Sequence, residues 1–124
     1  MGVALNTETR LQMFVNNTKE ITIVDELKVP QKIVGNFIGL MFSNELGSRQ
    51  GLILEKVIKV HTFFMRYPID IFYVDKKDQI IRIDENVKPW KILKLCRKSH
   101  YIIETNAGVA NKTNSEVNDS VAIV

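Results

Sequence analysis

From Val60 to Asp75 the chain reads VHTFFMRYPIDIFYVD, and the pattern is that of extended backbone. In such a segment His61, Phe63 and Met65 share one face and Thr62, Phe64 and Arg66 the other, until Pro68 resets the register. Beyond it Ile69, Ile71 and Tyr73 alternate with Asp70, Phe72 and Val74. The polar turn Asp75-Lys76-Lys77-Asp78 and a returning strand from Gln79 to Glu85 complete a hairpin.

The rest of the chain is punctuated at similar intervals. Leu11 to Val15 and Ile21 to Leu27 predict two strands joined by a turn at Asn16-Asn17, and Pro30 marks a strand's end. Val34, Phe37, Ile38, Met41 and Phe42 then change to helical spacing, which predicts a short helix closed by Asn44 or Gly47, although Gly35 and Gly39 weaken it. Asn44 to Gly51 is loop by composition; Leu52 to Val60 reads as strand, turn and strand; and His61 to Met65 continues as strand. After a basic connection from Lys88 to Arg97, Tyr101 to Thr105 is a strand and Asn106-Ala107-Gly108 a turn. Val109 to Glu116 is weakly helical, Asn118-Asp119 turns the chain, and Val121 to Val124 is a short last strand. Met1 to Thr9 has no period and is expected to be mobile. The elements predict a mostly β domain with one or two short helices, residues 1–124 folding as one unit.

Composition narrows the class. Apolar residues are 45% and charged ones 25% of 124, the balance of a chain that buries a core. Apolar runs reach only about four residues, far short of the roughly 20 that span a bilayer, and no secretory leader is visible. A single cysteine, Cys96, excludes an intrachain disulfide and makes the cytoplasm the default expectation. The net charge of +3 is local: Lys88, Lys91, Lys94, Arg97 and Lys98 stand together without an acid, leaving 12 basic against 14 acidic residues elsewhere.

Several candidate groups lie in or near the long extended segment. Asp70, flanked by isoleucines, needs a partner if buried, and Arg66 or a backbone N–H group at the bend is the nearest source. It would then either fix the bend or contact a ligand. His61, with an ordinary pKa near neutrality, would serve as an acid or base or as a structural hydrogen-bonding group. Thr62, Met65 and Trp90 complete a candidate ligand-binding set with His61, Arg66 and Asp70. The basic segment would track phosphates with Trp90 stacking on a base, or lie as a solvated loop with Trp90 as an apolar plug. Cys96 and His100, four apart, do not sit on a predicted helix, and His61, His100, Cys96 and scattered carboxylates lack metal-ligand spacing, so no metal and no cofactor is expected. No phosphate loop, nucleophile elbow or zinc motif occurs.

Gly39-Leu40-Met41-Phe42, Gly51-Leu52-Ile53-Leu54, HTFFMRYPIDIFYVD at 61–75, Pro89-Trp90, and Tyr101-Ile102-Ile103-Glu104 with Ala107-Gly108 occur in an order that resembles domain-of-unknown-function family 192, also called UPF0127. The likeness spans about residues 33–124 of this bacterial and archaeal family. It implies a compact mostly-β fold, a jelly roll or a distorted sandwich or barrel, and no activity. Ser43-Asn44 departs from the basic residue often found after GLMF, and Asn118-Asp119 replaces a Gly-Asp turn, where Asn118 would take the positive φ that glycine takes more easily. Some members are exported or lipid-anchored, which qualifies the cytoplasmic expectation. The function expected is a non-catalytic ligand-binding or accessory module for a small polar molecule, glycan or peptide, with its pocket near residues 61–70. The alternatives are an enzyme using His61 with Asp70, and a binder of nucleic acid or an anionic surface through residues 88–98.

Overall fold

The structure is a computed structural model that describes residues 11–29, 46–55, 60–62 and 65–124. The expectations for Met1 to Thr9, Pro30, the helix at Val34 to Phe42, and Phe63 and Phe64 lie outside the described residues, as does the predicted turn between Glu55 and Val60.

Eight strands make two sheets among the described residues. The smaller has the order β2-β1-β8, with β1 at Phe14–Asn16, β2 at Ile21–Val24 and β8 at Val121–Ile123. The larger has the order β3-β4-β7-β5-β6, built from β3 (Glu26–Lys28), β4 (Gln50–Glu55), β5 (Ile69–Val74), β6 (Ile80–Val87) and β7 (Tyr101–Asn106). All neighbours are antiparallel except β3 and β4. A single helical turn, α1 (Val109–Lys112), follows β7. This is the two-sheet, sandwich-like form of the expected mostly-β fold.

Only Asp25 separates β2 from β3, so the chain passes from one sheet to the other at a corner. Backbone bonds from Asp25 and Glu26 to the Arg49 carbonyl hold the corner, and the Arg49 guanidinium pairs with the Asp25 carboxylate.

Two apolar layers bury both faces of the large sheet. Between the sheets, Phe14, Ile23, Val24 and Val121 meet Ile53, Phe72, Val74, Tyr101 and Ile103, with Val109 and Ala110 of α1 closing one end. The Phe14 ring meets Phe72 and Tyr101 edge-on, with centroids 5.8 and 6.3 Å away. On the outer face Leu52, Leu54, Ile69, Ile71, Tyr73 and Ile102 are covered by Leu46, Val60, Met65 and Tyr67, with Leu93 and Cys96 packed against them. Burial on both sides explains the near-continuous apolar runs of β5 and β7, since each residue in such a strand has a core to enter.

The differences from expectation are local. β4 begins at Gln50, inside the expected loop, because Gln50 and Gly51 pair with Glu26 and Leu27 of β3. The described part of His61 to Met65 is no sheet strand: its one ladder contact is the bridge from His61 to Ile92. Aromatic and β-branched residues gave it a strand's composition, but it lies over a sheet instead of joining one. Asn118 does adopt positive φ, at 80°.

Candidate functional site

Asp70 lies on the inner face of β5, in a row with Gly51 and Thr105 of the neighbouring strands. Its carboxylate has no exposed surface. One oxygen accepts from the Asn86 N–H at 2.8 Å, and the other accepts from the Gly108 and Ala110 N–H groups, each at 3.0 Å. Opposite Asp70 the register of β6 slips, and Asn86 takes a φ of 51° in that irregularity. The carboxylate thus holds an irregular ladder on one side and caps the first turn of α1 on the other, where N–H groups have no partners of their own. The partners are backbone groups of β6 and of the turn into α1, and Arg66 is exposed on the bend at 66–67.

His61 and Thr62 pair with the segment around Trp90 instead, His61 through a bridge to Ile92. Backbone bonds run from Thr62 to the Lys91 carbonyl, from Trp90 to the Thr62 carbonyl and from Leu93 to the Val60 carbonyl. The Thr62 hydroxyl donates to the Lys88 carbonyl at 2.7 Å and accepts from the Lys91 N–H at 2.8 Å. Thr62 is therefore fully engaged in fixing the connection 88–93, and burial alone lowers the pKa of His61. Met65 is buried in the outer layer, so Val60 and Met65 place this segment outside the large sheet while Asp70 faces inside it. The structure does not bring His61 and Asp70 together as an acid–base pair.

Trp90 is 58% exposed, and its φ of 66° lies in the left-handed region. It is not the buried plug that one reading of the segment gave, because Leu93 and Cys96 occupy the apolar layer instead. Lys88, Lys91, Lys94, Arg97 and Lys98 are all exposed. Ile81, Arg82 and Asp84 of β6 form with residues 94–98 an open groove of about 640 Å³. Its floor is fixed: Arg82 donates twice to Asp84, once to the Lys94 carbonyl, and stacks over the Tyr73 ring at 4.4 Å. The Tyr73 hydroxyl donates to Asp84, and burial, then that bond, push its pKa far upward.

Glu104 was not among the candidates that the sequence offered. It stands in β7 directly between Leu52 of β4 and Ile71 of β5, two residues beyond Ile102, and so faces the outer apolar layer. It is 2% exposed, its Oε1 has no hydrogen-bond partner among the described residues, and burial raises its pKa to about 8. Asn106, next on the same face, directs its amide nitrogen to the Leu46 carbonyl at 2.6 Å, and its Oδ1 is likewise buried without a partner among the described residues. Two adjacent unpaired acceptors on one strand face are unusual, because buried polar groups are nearly always hydrogen-bonded. The available signal was Ile102-Ile103, which marks β7 as buried on both faces and leaves Glu104 nowhere to escape. No group of three or more metal-ligating side chains converges among the described residues.

A family model described as Uncharacterized ACR, DUF192, matches residues 13–123. The chain belongs to the DUF192 family. Its function is not known. A UPF0127 protein of Thermococcus sibiricus is 26% identical over 113 residues, covering 88% of this chain and 73% of the relative. A UPF0127 protein of Pyrococcus furiosus is 32% identical over 111 residues, covering 85% and 90%. A crystal structure of a protein of unknown function from Novosphingobium aromaticivorans superposes with a TM-score of 0.72 at 23% identity, covering 90% of this chain and 83% of that one. The DUF192 match fits the motif order seen in the sequence, and the structural likeness shows a shared fold. Among the described residues of this DUF192 chain no helix is long and apolar enough to cross a membrane.

Proposed function

We propose that this protein is a non-catalytic binding module for a small amine or guanidine, recognised on the outer face of the large sheet by the Glu104 carboxyl and the Asn106 side-chain oxygen. The observation that carries the reading is the adjacent pair of buried acceptors that have no partner among the described residues. An N–H-rich cation supplies donors to both, and a charge-assisted bond in an apolar setting is among the strongest available. The 61–70 segment contributes walls: Met65, Tyr67 and Ile69 pack in the same layer. Asn106, half-buried at the strand's end, lies where that face meets the surface.

The test is thermal melting of wild type and Glu104→Gln across pH, with and without ethanolamine, putrescine, agmatine and methylguanidine. Glu104 has a folded-state pKa of about 8 against an ordinary 4.5. Between those values the folded state holds the extra proton, so wild-type stability falls as pH rises through the interval and levels off above it. That interval corresponds to at most on the order of 5 kcal/mol. Glu104→Gln removes this slope. A cation that binds the carboxylate displaces the proton, so its affinity should rise about tenfold per pH unit up to pH about 8 and then flatten. Failure of all four compounds to raise the wild-type melting temperature, or an equal rise in Glu104→Gln, overturns the proposal.

A further inference from the structure

Residues 88–98 carry a second surface that the amine site does not use. Trp90, Ile92 and Leu95 are 58%, 60% and 46% exposed, while Leu93 and Cys96 pack against the outer apolar layer. The chain therefore presents three large apolar side chains to solvent within six residues, and around them stand Lys88, Lys91, Lys94, Arg97 and Lys98, all exposed. The nearest acid on the groove wall, Asp84, is held by Arg82 and Tyr73 and leaves the positive field unopposed there. Glu85, exposed on the same strand, is the remaining acid close in sequence.

We infer that this segment docks the protein on an anionic lipid surface, with Trp90, Ile92 and Leu95 entering the interfacial layer and the five cations pairing with headgroup phosphates. Tryptophan is suited to that layer, where an apolar ring and a polar N–H are both accommodated, and lysine stems let the ammonium groups reach water while their methylenes stay apolar. Clustered basic residues next to apolar anchors are attracted by the negative surface potential and held by burial of the anchors. Charge complementarity selects an anionic partner. The apolar side chains favour lipid over nucleic acid, since binding single strands uses rows of aromatic rings and this segment has one ring with two aliphatic groups. Docking would leave the amine site on the sheet untouched, so either proposal stands without the other.

Trp90 is the only tryptophan of the chain and reports its own environment. The full chain is mixed with vesicles of phosphatidylcholine alone, with vesicles also containing phosphatidylglycerol, and with oligo(dT). Sedimentation with the phosphatidylglycerol vesicles and a blue shift of Trp90 emission are expected, with little of either on phosphatidylcholine. The double substitution Lys91→Gln with Lys94→Gln, at two exposed positions, should weaken partitioning about thirtyfold while the melting temperature stays put. Ile92→Ser should weaken it further at unchanged charge. No sedimentation at low salt, equal binding to both vesicle types, bound protein with unshifted Trp90 emission, or tighter binding to oligo(dT) than to vesicles overturns the proposal.

Discussion

At the scale of single residues, two buried carboxylates on opposite faces of one sheet have opposite fates. Asp70 receives three backbone N–H donors, whereas Glu104 has an oxygen with none among the described residues. Asp70→Asn would present an amide nitrogen to at least one of those donors and so bury an unmatched pair. A loss of about 2–4 kcal/mol is expected, or a fall in melting temperature of order 10 °C, read by calorimetry. A change under about 0.5 kcal/mol would contradict the capping role. The need for a partner at Asp70 was legible in the sequence, because isoleucines on both sides imply burial. The identity of the partners was not, since Asn86, Gly108 and Ala110 reach it only through folding, 16 to 40 positions away. Glu104 stayed hidden because YIIET also reads as a strand with a solvated end.

At the scale of elements, local pairing was readable wherever the chain reverses on itself. The β5–β6 hairpin follows from its alternation and the Asp75–Asp78 turn, whose first carboxylate accepts from the N–H groups of Lys77 and Gln79. Segments that lie over a sheet were not readable, since the apolar residues Val60, Met65 and Tyr67 are demanded equally by a strand and by a cover. What holds that cover is Thr62, whose hydroxyl and backbone together make the principal bonds to 88–91. Thr62→Val keeps the shape and removes the hydroxyl, leaving the Lys91 N–H without its bond. The expected cost is about 1–3 kcal/mol, with faster amide exchange at Lys91 in particular and little change in β5 or β7. Uniform exchange throughout the chain would show instead that the connection and the sheet open as one unit.

At the scale of the whole molecule, polar contacts between remote parts close the small sheet. Asn16, 1% exposed, donates to the Asp119 carboxylate at 2.8 Å and to the Ser115 hydroxyl at 3.2 Å, and accepts from the Lys19 N–H at 2.9 Å. Burial pushes the Asp119 pKa up, but the bonds from Asn16, the Glu116 N–H and Lys19 outweigh it and hold the carboxyl below its ordinary 3.8. A lowered folded-state pKa contributes stability that is present above 3.8 and lost as pH falls through the folded value. Asn16→Ala should therefore cost about 1–3 kcal/mol near neutral pH in urea unfolding. The penalty should shrink as pH falls through the range in which the folded Asp119 carboxyl takes up its proton, because the charge that strengthens the Asn16 bond is then lost. A penalty independent of pH would assign the loss to packing around β1 alone.

The same closure has a consequence in time. β1 has β2 beside it almost at once, but its other neighbour is β8, and the Asn16–Asp119 contact joins positions 103 apart. A contact of that span carries the full entropy of closing the intervening chain, which places it among the slow events of folding. Until β8 pairs, the outer edge of β1 is open and Phe14 lacks the strand that completes its sheet. An unpaired edge of that kind is a template for pairing with the wrong chain.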